Sequence, residues 1–156
     1  MVLADTFEFI HILFVFLLLG SVGMIAYSSA MLARTNDLQK FEVYLTASNT
    51  SGMFAGISTI CVGVFGVLAA WKIGWSLDEG WLIAAYIALG ITVIVPPFTF
   101  KPWGEKAEKL MDQAHQEGHI LAEQKKIMTG RKYRTFEYSF YGLLVFIAYF
   151  MVFKPF

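Results

Sequence analysis

The stretch from Phe7 to Ala33 reads FEFIHILFVFLLLGSVGMIAYSSAMLA, and behind Glu8 at its start its one acid–base group near neutral pH is His11. A run this long and apolar exceeds the roughly 20 residues that cross a hydrocarbon core about 30 Å thick at a helical rise of about 1.5 Å per residue. Lipid cannot satisfy backbone polar groups, so the run must be a helix, and it lacks the apolar–polar alternation of a barrel strand. Asp5 and Glu8 precede it instead of a basic segment, and it is about twice the length of a signal h-region. It reads as a retained helix.

Three further stretches share its character: Gly52 to Trp71, Trp81 to Phe98 and Phe136 to Phe153. With 57% hydrophobic, 17% aromatic and 15% charged residues among 156, the composition is that of a membrane protein. No linker, repeat or low-complexity run divides the chain. The expected fold is therefore all-α, a single integral membrane domain over residues 1–156 built as a four-helix transmembrane bundle.

A formal net charge of zero conceals an asymmetry. Arg34 and Lys40 fall between helices one and two, and Lys101, Lys106, Lys109, Lys125, Lys126, Arg131, Lys132 and Arg134 between three and four, whereas only Lys72 and Lys154 fall on the other side. The positive-inside rule then places both connections in the cytoplasm and both termini outside. Trp71, Trp75 and Trp81 would ring the outer interface, with Trp103, Tyr133 and Tyr138 at the inner one. Pro96, Pro97 and Pro102 are expected to interrupt helix three at its inner end, because proline lacks a donor and restricts the residue before it. Past them, 103–128 is predicted to be a helical cytoplasmic extension ending at Gly130.

Helix two carries a packing pattern. Gly52, Gly56, Thr59, Gly63, Gly66 and Ala70 fall on one seam with a period near 3.5, and small residues of this kind let helix backbones approach in lipid. Packing within the bundle is the commoner use of such a seam, and a face for another subunit is the alternative. Cys61 is the lone cysteine, which excludes an intrachain disulfide and a CxxC metal site.

Two groups of residues could carry chemistry. An intramembrane histidine is costly and usually has a partner. His11 lies one turn from Glu8, near the outer surface, where Tyr86, Tyr149 or Met151 could share its depth; a haem ligand, a hydrogen bond to a carbonyl and a pair with Glu8 are the readings open to it. In the segment 103–128, Glu108, Asp112, His115 and His119 are spaced four, three and four, so one helical face could seat a metal at Asp112, His115 and His119. A solvated charged face accounts for the same spacing and is the commoner case. HExxH, phosphate-loop, nucleophile-elbow and dinucleotide motifs are absent, which removes support from the enzymes built on them.

Phe9-Ile10-His11-Ile12-Leu13 with Gly20 and Arg34, the Gly-rich second helix, Gly74-Trp75-Ser76-Leu77 with Gly80-Trp81-Leu82, and the charged extension of helix three form one pattern over nearly the whole chain. It resembles a family of bacterial four-helix integral membrane proteins catalogued as a domain of unknown function. More distantly it is similar to copper-resistance D-type domains and to the four-helix membrane protoporphyrinogen oxidase. The resemblance implies a multi-pass protein of the bacterial inner membrane, and the oxidase relatives imply haem at the position of His11 together with a lysine in helix three. Trp81 to Val95 contains no lysine.

Two functions are expected from this reading. The first is a non-catalytic subunit packing into a larger respiratory or photosynthetic type of membrane complex, with the bilayer and other membrane subunits as partners and no nucleic acid. The alternative is a haem b protein in electron transfer or porphyrin oxidation with His11 as ligand.

Overall fold

The computed structural model describes residues 2–154. Six helices follow in order: α1 (Val2–Arg34), α2 (Leu38–Ile73), α3 (Gly80–Lys109), α4 (Met111–Glu117), α5 (Ala122–Thr129) and α6 (Arg131–Phe153). Strands do not occur among the described residues. Four stretches, Leu3–Arg34, Leu38–Ile73, Gly80–Glu117 and Ala122–Phe153, are long and apolar enough to span a bilayer.

The helices outrun the apolar stretches that announce them. α2 begins at Leu38 because the backbone N–H of Lys40 donates to Asp37 Oδ1 at 3.0 Å, an N-cap that closes the short Thr35–Asp37 turn after α1. Its 36 residues reach about 54 Å, well past a core about 30 Å thick, so the helix is longer than a lipid span requires. The far end of α2 stops at Gly74, whose φ of 89° is left-handed and whose N–H returns to the Ala70 and Trp71 carbonyls. In the turn that follows, the Ser76 hydroxyl donates to Asp78 and holds that carboxyl below its ordinary range.

The expected interruption of helix three is corrected. α3 runs unbroken through Pro96, Pro97 and Pro102 to Lys109. Each proline removes one donor, but its φ is already helical, and packing against neighbouring helices sustains such helices in membranes. The expected helix over 103–128 is corrected as well: Trp103 to Lys109 belong to α3, and the rest is two short helices broken at Gly118, whose φ is 72°.

Packing falls into three clusters along the bundle. At the α4–α5 end, Leu32, Phe41, Leu45, Ala107, Met111, Met128 and Tyr133 form a core to which α1, α2, α3, α4, α5 and α6 all contribute. Gln124, fully buried, ties α5 down: Nε2 donates to the Ala107 carbonyl at 3.1 Å and Oε1 accepts from the Leu121 N–H at 3.1 Å. In the middle, Leu18, Ala55 and Val62 pack with Leu89 and Leu144. At the other end Ala70, Trp81, Leu82 and Phe150 close the bundle. α1 lies closely along α2, and α3 along α6, with α2 and α3 joining the two pairs. Residues such as Phe16, Phe98 and Val152 stay exposed, an apolar exterior that suits lipid.

Candidate functional site

At the end carrying the α2–α3 turn, all four long helices converge on a cavity of about 190 Å³. α1 supplies Glu8 and His11, α2 supplies Gly63 and Gly66, α3 supplies Tyr86, and α6 supplies Met151, with Lys154 just after it. His11 Nδ1 lies 2.9 Å from the Val62 carbonyl oxygen on the adjacent helix. A carbonyl only accepts, so Nδ1 carries the hydrogen, and in the neutral imidazole that leaves the lone pair on Nε2. The partner of His11 is thus a main-chain carbonyl of α2 rather than Glu8.

The small residues of α2 make this approach feasible. A Cβ at Gly66 would lie 3.0 Å from both Nδ1 and Cε1 of His11, and one at Gly63 would lie 2.6 Å from Leu89 Cδ2. Thr59 is buried with its hydroxyl on the Ala55 carbonyl at 2.7 Å, and Ala70 is buried beside Trp81. The other half of the seam behaves differently: Gly52 and Gly56 are exposed, with open space where a side chain would be.

Tyr86 and Met151 reach the depth of His11, and Tyr149 is exposed, its ring edge-on to Phe150 and tilted against Phe153. The Tyr86 hydroxyl is buried and has no hydrogen-bond partner among the described residues, a costly state for a polar atom unless something occupies the cavity. Lys154 Nζ sits 3.9 Å from the Trp75 ring centre and 5.3 Å from that of Trp81, a cation held at the cavity mouth by two aromatic faces.

The expected metal face on Asp112, His115 and His119 is not assembled. Asp112 and His115 share α4, but the left-handed turn at Gly118 takes His119 off that helix. His115 Nε2 pairs with Glu42 of α2 at 3.2 Å, and His119 Nε2 with Glu117 at 3.4 Å. Among the described residues, no three His, Cys, Asp or Glu side chains come together to hold a metal ion.

A second polar centre went unnoticed in the sequence. Glu137, inside the fourth apolar stretch, is 2% exposed. Its Oε2 accepts from Ser29 Oγ of α1 at 3.1 Å and faces Arg134 Nη1 at 3.4 Å, and its Oε1 accepts from Tyr141 OH at 3.0 Å. Arg134 Nη2 donates to the Ser29 carbonyl at 3.3 Å. The available signal was a carboxylate with Arg three before it and Tyr four after it, which is one helical face.

Four long apolar helices around buried polar centres define a multi-pass integral membrane protein. A family model described as predicted integral membrane protein (DUF2269) matches residues 5–155, and the chain belongs to that family. Comparison with curated proteins and with solved structures gives no match.

Proposed function

We propose that the protein binds a transition-metal centre in the membrane, with His11 Nε2 as the donor. The observation that supports this reading is the bond from Nδ1 to the Val62 carbonyl, since a backbone acceptor on one ring nitrogen fixes the tautomer and turns the other into a ligand. Met151 adds a soft thioether in the same cavity, and Tyr86 adds a donor for a water or ligand atom bound to the metal.

The centre is either an ion with its bound water or the iron of haem b. The donor chemistry suits both, because imidazole with thioether is a haem ligand pair and also a copper one. Size favours the ion: about 190 Å³ is below the roughly 300–1,000 Å³ of pockets that enclose a drug-sized ligand. Purified protein supplied separately with haem and with copper decides the matter. A copper ion retained through desalting and lost in His11→Ala is the expected result; a Soret band lost in the same variant would identify haem instead. Neither ligand retained, or retention unchanged in His11→Ala, would overturn the assignment.

The reading as a subunit of a larger membrane complex draws on a separate feature, the open Gly52–Gly56 face of α2, flanked by exposed Met53, Phe54, Ile57 and Ile60. Purification in mild detergent tests it, and migration as a lone 17.6 kDa unit would count against it. By the charge rule the α4–α5 end is cytoplasmic, in the inner membrane of a bacterium, with both termini outside. A reporter fused after Lys154 that is active only in the cytoplasm would contradict that orientation.

A further inference from the structure

The α4–α5 end of the bundle is dense in cations, and several of them are already satisfied within the chain. Lys101 lies 3.8 Å from Glu105 one turn on, Lys106 lies 2.8 Å from Glu123 of α5, and Arg134 faces the buried Glu137 at 3.4 Å. Lys125 is turned onto the Thr35 carbonyl and the Asn36 side chain after α1. Arg131 and Lys132, side by side at the start of α6, have no such partner. Both are exposed, the first turn of α6 holds no acidic residue, and among the described residues no carboxylate stands within ion-pair distance of either.

Lys132 rests on a ring instead. Its Nζ stands 5.8 Å from the ring centre of Trp103, which belongs to α3, so the contact crosses the seam between α3 and α6. The Trp103 ring is edge-on to Phe136 of α6 at 5.6 Å. One turn further from the α4–α5 end, Phe100 of α3 meets Phe140 of α6 edge-on at 6.1 Å. All four rings are partly exposed. The seam therefore presents, from the end of the bundle inward, a pair of free cations, an indole and then two rungs of aromatic hydrocarbon. That is the order of an amphiphile lying along the protein: charge at the headgroup level, an amphipathic ring at the interface, apolar surface below it. A free anion would use only the top of the seam, and an acidic protein segment would have nothing to lay on rungs that face hydrocarbon.

We propose that the head of the α3–α6 seam binds an anionic phospholipid, its phosphate against Arg131 and Lys132 and one acyl chain along the Trp103–Phe136 and Phe100–Phe140 rungs. Net charge does the selecting. Phosphatidylcholine carries the same phosphate, but its own choline neutralises it, whereas phosphatidylglycerol brings a charge that these two cations lack within the chain. The Trp103 face restrains the long Lys132 side chain before any lipid arrives, so less rotamer freedom is lost on binding than for a free surface lysine.

The test gives delipidated whole protein in mild detergent equal amounts of phosphatidylglycerol and phosphatidylcholine, and native mass spectrometry reads the ratio retained. The wild type should prefer phosphatidylglycerol by at least about tenfold, and Arg131→Gln and Lys132→Gln should each cut that preference about fivefold, the effect of one cation near a membrane surface. Both positions are exposed, so the fold does not depend on them. Lys101→Gln removes the same charge from an exposed neighbour already paired with Glu105 and should leave the ratio within about twofold. Phosphatidylglycerol with brominated acyl chains should quench the tryptophan fluorescence more than brominated phosphatidylcholine does, and the excess should vanish in Trp103→Phe. Equal retention of the two lipids, a preference that survives both Arg131→Gln and Lys132→Gln, or one that Lys101→Gln lowers as much, overturns the site. Displacement of the lipid by millimolar inorganic phosphate would make it a site for free anions, and an excess of quenching that persists in Trp103→Phe would take the acyl chain off the seam; either result also overturns the proposal.

Discussion

Gly66→Ala tests how the His11 site is built, because one methyl group acts on two terms of opposite sign. The new Cβ would stand 3.0 Å from Nδ1 and Cε1 of His11, and ordinary carbon contacts begin a few tenths of an ångström further out. The imidazole has to recede by roughly that amount. The bond to the Val62 carbonyl, 2.9 Å now, would stretch past the normal range and lose most of its net worth of about 0.5–1.5 kcal/mol. Against this, alanine in a helix interior is favoured over glycine by about 0.8–1.0 kcal/mol. Global stability should therefore change by less than about 1 kcal/mol, while affinity at Nε2 falls about five- to tenfold as the ring loses its fixed orientation. Gly56→Ala is the control: its Cβ meets nothing, so it should gain stability and leave affinity untouched. Thermal unfolding in detergent and equilibrium metal titration read the two quantities separately. If Gly66→Ala and Gly56→Ala lower affinity equally, His11 is not held by its contact with α2 and the argument fails.

Gln124→Ala should destabilise the α4–α5 end by about 1–3 kcal/mol, since it leaves the Leu121 N–H and the Ala107 carbonyl without their side-chain partner; faster amide exchange confined to α5 is the expected signature. Ser76→Ala should raise the Asp78 carboxyl toward its ordinary range, as read by carboxyl NMR, with the backbone hydrogen bond left as the remaining lowering influence. Because Asp78 titrates low in the folded chain, its contribution to the turn is present above the unfolded value and is lost as pH falls through the folded one; in Ser76→Ala that acid-dependent loosening should be smaller.

The number of spanning helices was legible because it depends on contiguous residues: an apolar run of sufficient length in lipid has one structural solution. Helix ends were less legible. Residues 38–51 are polar enough to read as a connection, yet Phe41, Leu45 and Ser48 recur on one face and are buried against α4–α5-end neighbours that lie far along the chain. The prolines of α3 were read by local rules, and tertiary packing carried the helix through them. For the four residues spaced on one presumed face, the left-handed turn at Gly118 decided the outcome, and no periodicity reveals where a glycine adopts that conformation.

Depth could be read for His11 from its place in the first apolar run, but its partner could not. The acceptor is the main-chain carbonyl of Val62, and a carbonyl belongs to every residue alike, so only the packing of α2 against α1 singles one out. The same holds for Glu137, whose meaning comes from Ser29, distant in sequence and on another helix. What the sequence alone determined is the class of solvent and the helices that solvent compels, since hydrophobic length is a one-dimensional property. Tertiary structure alone decided which half of the glycine seam is filled, where the buried polar groups find partners, and where a cavity remains, because each depends on side chains that meet only after the helices have packed.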